Sequence, residues 1–443
     1  MAGNVEPSVV DRLVLLLRHL GIARAHVAGR LSADWSGLAT THAEVIASLS
    51  LLCPTDLEPG PLGALASPLL MVRGDQGQPA AVVQRAVAAV PHVTLLTLRD
   101  YFGHPRADIL ADRTEEIGAA MLTFLAPSDQ KQALHAVSLP EGEGEVAGIS
   151  YRVQGTGPPL VLLPLGLAAS QWEPLLPRLT ARYCTIRLGG PWLGSVASLE
   201  ARGHSPGYLG IVGRLIEVVQ LQPGETILDV GCGSGVLDRW LAHRTKGENR
   251  IVAVDIHREL LREAIALAQQ EGLARLIEFQ AGNAEALPFA NDTFDVTISA
   301  TVMELLDADR MLHELIRVTR PGGRVAVIVR AVDMSSCVNV PLRAELKARV
   351  EALPNGVAGE HGCADASLYQ RFRAAGLDAV HMLPQLAAEA ETTRLHAVQQ
   401  RILSNLSADE AEEWRGTVNQ AEAAGTFFIA LPYHCAVGTK RSS

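Results

Sequence analysis

The sequence predicts an α/β protein of two units, each built on a mostly parallel sheet. Three observations carry this. The 443 residues are 48% hydrophobic but only 4% aromatic, so the cores are filled by aliphatic side chains. Val, Ile and Leu are the usual filling of parallel sheets. Apolar runs of strand length alternate with helical patterns along most of the chain. A polar, acidic stretch, 128–148, interrupts that alternation and reads as a linker. It leaves 1–127, 149–203 and 204–443 as the structured regions, within the two or three domains that about 150 residues per domain allows.

Composition excludes several function classes. Lys and Arg number 38 against 48 Asp and Glu, for a net charge of −10. Such a chain is a poor partner for nucleic acid, whose affinity rests on neutralised phosphates. The six cysteines are scattered, with no CxxC pair and no metal-ligand spacing. Reduced thiols and the absence of a leader-like pattern in Met1–Asp11 point to the cytoplasm. The longest apolar run, Pro158–Ala169, is far short of the ~20 residues of a membrane span.

In chain order, a helix over Val9–Leu20 leads to the strand Ala25–Gly29. Strands over Ala47–Cys53, Pro68–Gly74 and Val93–Leu98 follow, with helices between them. Beyond the linker, Gly148–Pro159 leads to the strand Leu160–Leu163, a helix from Trp172 and the strand Tyr183–Leu188. Residues 8–127 resemble the second half of an α/β-hydrolase, and 145–200 resemble the first half. The halves come in swapped order, which implies a permuted fold or half-domains completed by a partner chain. A homodimer is therefore expected.

The hydrolytic positions that this resemblance implies look dismantled. The nucleophile elbow needs G-x-S-x-G. Here Gly29-Arg30-Leu31-Ser32-Ala33 puts Leu31 at the nucleophile and Ser32 one residue off. Gly77 stands where the triad acid belongs, and Asp75 is misplaced. Pro164-Leu165 replaces the His-Gly of the oxyanion loop. His104 alone fits. The expectation is a structural or docking domain.

Past the breaker cluster Gly203–Gly207 the pattern changes character. The strand Thr226–Val230 runs into Gly231-Cys232-Gly233-Ser234-Gly235, then a helix over Val236–His243. Glycines allow positive φ and close backbone approach, and the helix start offers free N–H groups. The strand Ile251–Val254 ends in Asp255, an acid placed to accept from ribose hydroxyls. Leu273–Phe279 is a third strand, followed by Gly282–Phe289, and Phe294–Ser299 is a fourth. A helix over Leu312–Arg320 closes at Pro321-Gly322-Gly323 before the fifth strand, Arg324–Val329. Helices over 390–424 form an insertion, with a capping-box start at Ser407–Glu410. The last strand, Phe427–Ala430 and Cys435–Gly438, is interrupted by Leu431–His434.

This order resembles the class I S-adenosylmethionine-dependent methyltransferases, especially the quinone and small-molecule branch, over residues 207–443. The resemblance implies a Rossmann-like domain with S-adenosylmethionine as cofactor and a small organic molecule as methyl acceptor. By position, Gly231, Cys232 and Gly233 would pack on the methionine part, with Asp229 and Ala300 in the same site. Asp255 would hold the ribose diol and Ile256 would pack on adenine. Asn283 and Ala284 would meet the adenine edge; many relatives carry Asp at Asn283, and the Asn carbonyl can still accept from the adenine amino group. The competing NAD fingerprint is G-x-G-x-x-G, whereas this chain has G-x-G-x-G.

Methyl transfer needs alignment in a dry site more than a triad. On the substrate side the resemblance points to Thr301–Glu304 after the fourth strand. Met303 is a substrate contact and Glu304 a candidate general base, with a solvated helix-start carboxylate as the bland reading. Tyr433 and His434 are candidate acceptor contacts, His434 also catalytic. No metal is expected; convergence of Cys337, Cys363 and Cys435 on a metalloid is a minor alternative. A bifunctional hydrolase–methyltransferase and a non-methylating protein that binds the cofactor for cyclisation or structure are the other functional alternatives.

Overall fold

Eight strands form one sheet in each of the two units of the computed structural model, Met1–Ser198 and Leu199–Ser443. The structure describes all residues except 1–7, 31–35, 55–61, 64, 91–92, 102–107, 132–133, 167–168, 190–192, 357, 391 and 443. Leu31, Ser32 and His104 thus lie outside the described residues.

In the N-terminal unit the strands are β1 (Ala25–Gly29), β2 (Ile46–Leu52), β3 (Leu69–Gly74), β4 (Val93–Leu98), β5 (Gly142–Val146), β6 (Ile149–Gln154), β7 (Pro159–Leu162) and β8 (Cys184–Gly189). Their order across the sheet is β4-β3-β2-β1-β7-β8-β6-β5. β1 and β2 are buried at every position, as strands covered on both faces should be. β1 pairs in parallel with β7, with His26 opposite Leu160. Strands β1–β4 and β5–β8 therefore share one sheet within the chain, and the order of these segments gives no reason for a swapped dimer.

The stretch read as a linker is structured at both ends. The helix Thr114–Lys131 runs into it, and the acidic run Glu141–Glu145 lies mostly in β5. β5 is the edge strand, pairing only with β6. Glu143 and Glu145 are exposed there, where charge guards an open edge against pairing with another chain. Charge that looks like a linker in sequence is edge protection in the fold.

A buried polar chain crosses the centre of this sheet. His26 on β1 and Ser48 on β2 are register partners, and His26 Nδ1 lies 2.7 Å from Ser48 Oγ. His26 Nε2 lies 2.6 Å from Asp129 Oδ1, and the Tyr183 hydroxyl donates to Asp129 Oδ2 at 3.1 Å. His26 and Ser48 are fully buried. Burial pushes the His26 imidazole below its usual pKa, against the pull of Asp129.

The strands of the C-terminal unit are β9 (Thr226–Val230), β10 (Arg250–Asp255), β11 (Ile277–Ala281), β12 (Phe294–Ala300), β13 (Thr319–Arg330), β14 (Cys337–Val338), β15 (Asp378–Glu389) and β16 (Ile429–Thr439). The order is β11-β10-β9-β12-β13-β16-β14, with β15 also on β16. β9 to β13 are parallel, and β16 runs antiparallel to β13, β14 and β15. The chain winds outward from β9 to β11, then reverses through β12. Ligands of open α/β sheets sit at the carboxyl ends beside such a reversal.

Two strands, β11 and β16, differ from the expected bounds in ways that have a local cause. β11 starts at Ile277, because Gly272 (φ 74°) ends the preceding helix and Leu273 N bonds back to Ala268 O. β16 is continuous through Pro432. The proline contributes only its carbonyl, which accepts from Ala331 N (3.1 Å) and Asn355 Nδ2 (2.9 Å).

Candidate active site

The glycine turn is built so that no side chain fits. Gly231, Gly233 and Gly235 have φ of 81°, 59° and 72°, a region that disfavours residues with a Cβ. A Cβ on Gly231 would stand 2.2 Å from Val302 Cγ2. Gly231 N and Cys232 N donate to Val254 O at 2.7 and 3.0 Å, which docks the turn on the end of β10. The helix Val236–Arg244 starts directly after it. Burial raises the Cys232 thiol well above its usual pKa, so it is a packing group here.

Asp255 closes β10 with 7% exposure. Its Oδ2 accepts from Gly233 N and its Oδ1 from His257 N, both at 2.9 Å. The carboxylate is thus oriented against the turn before any ligand arrives. Ile256 beside it is 62% exposed, a large apolar side chain open to solvent. Asn283 is exposed and its Oδ1 accepts from Glu285 N at 2.9 Å. The carbonyl expected to meet adenine already accepts one bond, so the amide NH2 is the freer half. The Ala284 side chain packs in the core. Ser299 Oγ donates to Val230 O at 2.7 Å, tying the end of β12 and Ala300 to β9. Thr301 follows with φ 60°. A β-branched residue in that region is strained, and such strain collects at functional loops.

Asp229 and Asp238 are buried under the turn. Burial first, then the Asp255 charge, pushes Asp229 up to about 7. Burial and the neighbouring Asp229 raise Asp238 well above the carboxyl range. Two carboxyls without a cation between them cannot both ionise in such a site.

On the substrate side the expectations are corrected. Glu304 is neither a solvated helix start nor an available base. It is fully buried, and its Oε1 and Oε2 accept from Arg330 N (2.5 Å) and Arg330 Nη1 (2.9 Å). Met303 is fully buried in the core with Met311 and Phe372, not open to a substrate. Tyr433 and His434 fall on opposite faces of β16, because successive side chains of a strand alternate. Tyr433 packs with Cys435 and Val437 on the face that Tyr208 covers. His434 Nε2 lies 2.8 Å from Asp333 Oδ1. Cys435 and Cys363 belong to different core clusters, so the cysteines do not converge.

Residues 227–323 match the family model described as "Methyltransferase domain". This segment is a methyltransferase domain. An uncharacterized protein of Mycobacterium tuberculosis (strain H37Rv), Rv1405c, is 41% identical over 115 residues, covering 26% of this chain and 40% of that protein. The ubiquinone/menaquinone biosynthesis C-methyltransferase UbiE of Legionella pneumophila (strain Corby) is 32% identical over 114 residues, covering 26% of this chain and 46% of that enzyme. The chain thus spans less than half the length of these curated relatives. Among solved structures, the YcgJ protein of Bacillus subtilis aligns over 53% of this chain and 100% of its own, at 19% identity and a TM-score of 0.37.

Sequence reasoning missed a segment that lies on this methyltransferase domain's glycine turn. A Cβ on Gly233 would stand 3.0 Å from Leu199 Cδ1, and one on Gly203 2.3 Å from Val236 Cγ1. Arg239 fastens the segment: Nη2 donates to Glu200 Oε2 at 2.5 Å and Nη1 to Ser234 O at 2.8 Å. The paired glycines of the Gly203–Gly207 breaker were the available signal. Gly207 marks a second close approach, where a Cβ would stand 2.1 Å from Ala388 O.

Proposed function

We propose that the protein transfers a methyl group from S-adenosylmethionine to a small organic acceptor. One observation carries the reading. A turn closed to side chains, an acid oriented against it and an exposed Ile256 converge where β9, β10 and β12 end, inside the segment that matches a methyltransferase domain. These residues fit the cofactor. The turn offers backbone to the methionine part, Asp255 has lone pairs left for ribose hydroxyls, and Ile256 gives adenine an apolar face. When bound, the cofactor supplies a methyl group on a sulfonium sulfur, so the sulfur–methyl bond breaks as the acceptor–methyl bond forms and S-adenosylhomocysteine is left.

The protein's task is alignment and exclusion of water. Tyr433, opposite Arg330 at the carboxyl end of β13, is as fully buried as Met303, so neither is open to an acceptor in this structure. Glu304 and Arg330 brace that corner as an ion pair. The matched relatives share only the cofactor segment with this chain, so the acceptor is not carried over from them. Isothermal titration tests the reading. S-adenosylmethionine and S-adenosylhomocysteine should bind, and Asp255→Ala should abolish it; no binding by the wild type would overturn it.

For the N-terminal unit we propose a permuted α/β-hydrolase-like fold without hydrolytic chemistry. All strands of the later half, β5–β8, lie on one side of β1, and those of the earlier half, β2–β4, on the other. Asp75 is exposed and commits its oxygens to Asp100 N (3.0 Å) and Tyr101 N (3.1 Å), and Leu165 is fully buried. p-Nitrophenyl acetate should not be turned over. Turnover lost in both Ser32→Ala and His104→Ala would establish a hydrolase instead.

A further inference from the structure

We infer that Asp229 and Asp238 form a proton-linked charge site beneath the glycine turn, which favours the cationic cofactor over its net-neutral product; this rests on the methyltransferase reading above. The two acids bracket the turn. Asp229 belongs to β9, which runs into it, and Asp238 to the first turn of the helix Val236–Arg244, which leaves it. They are 3% and 0% exposed. Asp255, at the end of β10, is a third carboxyl on the same turn, where it accepts from Gly233 N. The charges of all three reach the Cys232 thiol of the turn.

The hydrogen bonds require the pair to hold a proton. Asp238 Oδ1 and Oδ2 receive no N–H or O–H from another described residue. The carboxyl beside them, Asp229, is an acceptor as well, so a proton on Asp238 is the donor the pair needs. The Arg239 charge also reaches Asp238, but that guanidinium is shared out: Nη2 donates to Glu200, Nε to Glu271 and Nη1 to Ser234 O. With Asp238 protonated, Asp229 sets the charge of the pair. Burial and the Asp255 charge lift Asp229 to about 7, so the pair is neutral below that pH and singly negative above it.

A charge that switches here meets a ligand whose own charge switches. S-adenosylmethionine carries a sulfonium charge that S-adenosylhomocysteine lacks. As the sulfur–methyl bond breaks, sulfur keeps the electron pair and becomes neutral, while the acceptor gains the methyl group and gives up a proton. A nearby cation favours the ionised form of a carboxyl, and does so strongly where water is excluded. The sulfonium therefore holds Asp229 ionised, and its loss lets Asp229 take a proton back from solvent. At fixed pH the cationic ligand releases a proton from the pair, so the preference for it over the product rises with pH.

The test is calorimetric titration of the full chain with S-adenosylmethionine and S-adenosylhomocysteine at pH 6 and pH 8, for the wild type and Asp229→Asn. The variant keeps the shape and an acceptor for Asp238 but fixes the pair as neutral. Any titration of the ligands themselves is common to both proteins. In the wild type the ratio of the two affinities should shift toward S-adenosylmethionine by about tenfold between the two pH values. In Asp229→Asn the ratio should stay near the wild type's value at pH 6. Should Asp229→Asn fail to fold, titrations of the wild type at pH 7 in buffers of different ionisation enthalpy decide. S-adenosylmethionine should then release up to about half a proton more than S-adenosylhomocysteine. Equal proton counts, or a ratio that moves as much in the variant as in the wild type, overturn the charge site while leaving the methyltransferase reading intact. A wild type that binds neither ligand overturns that reading and the charge site with it.

Discussion

The buried polar clusters around His26 in one unit and Asp229 in the other are held in different ways. In the N-terminal unit His26 is fully buried with both ring nitrogens partnered, by Ser48 and Asp129. In the C-terminal unit Asp229 and Asp238 lie buried side by side, and Tyr208 keeps an unpartnered hydroxyl. A satisfied network rigidifies a core. Two buried carboxyls that share a hydrogen bond instead keep a proton, because both cannot ionise in one dry site. Both sheets have eight strands, and in each the contrast involves helix residues packed on the sheet: Asp129 in one unit, Asp238 and Tyr208 in the other.

The largest effect that separates the units should come from the glycine turn. Gly231→Ala forces a Cβ to within 2.2 Å of Val302 at φ 81°. A strain of ~3 kcal/mol at the binding surface predicts a loss of about a hundredfold or more in S-adenosylhomocysteine affinity. Titration calorimetry reads it, and near wild-type affinity would show that the turn is not the cofactor's seat. The next effect belongs to the other unit. His26→Ala leaves a cavity and strips Ser48 and Asp129 of a partner, which should cost ~2–4 kcal/mol of stability. Thermal unfolding should register it while cofactor affinity stays unchanged. A fall in affinity would mean that the polar chain of the N-terminal unit is energetically coupled to the cofactor site.

What was legible in the sequence follows the range of the physics involved. β1 and β4 were readable to the residue because apolar runs bounded by glycine and turn residues carry their own limits. The glycine turn and Asp255 were readable because their chemistry is local backbone chemistry. β15 was not, because its alternating exposed pattern contains Pro384 and its pairing with β16 spans the helical insertion. The Ser407–Glu410 capping box is visible in the sequence. The N-cap Asp307 has no Glu or Gln three residues on, so pattern alone starts that helix too late. Reading Pro432 as an interruption hid the alternation that sets Tyr433 and His434 on opposite faces. Tyr208 packs edge-on against Tyr433, and no spacing rule announces a contact of that range.

Stability against pH should sharpen the comparison, because the two networks slope in opposite directions. The Asp229 carboxyl titrates near 7 in the fold against an ordinary 3.8. Between these values the folded chain holds more protons than the unfolded one, so this contribution falls as pH rises and levels off above about 7. His26 is depressed below its ordinary 6.5. The unfolded chain then holds the extra proton, so its contribution is present above 6.5 and is lost as pH falls below it. Asp238→Asn should therefore raise the melting temperature of the C-terminal unit more at pH 8 than at pH 5. His26→Gln should flatten the acid side of the N-terminal unit's profile. An Asp238→Asn gain that is equal at both pH values would mean that the pair ionises freely.

The smallest effect tests how much recognition the adenine side owes to charge. Asn283 is exposed, and its carbonyl is already committed to Glu285 N at 2.9 Å. Asn283→Asp keeps that acceptor, adds a second one that can meet the adenine amino group, and adds a charge that solvent screens. The gain and the screening nearly offset. S-adenosylhomocysteine affinity should change by no more than about threefold at low salt, with the difference fading at high salt. A tenfold loss that persists in high salt would mean that the Asn283 NH2 group donates to the ligand. Recognition on that side would then rest on a donated hydrogen bond.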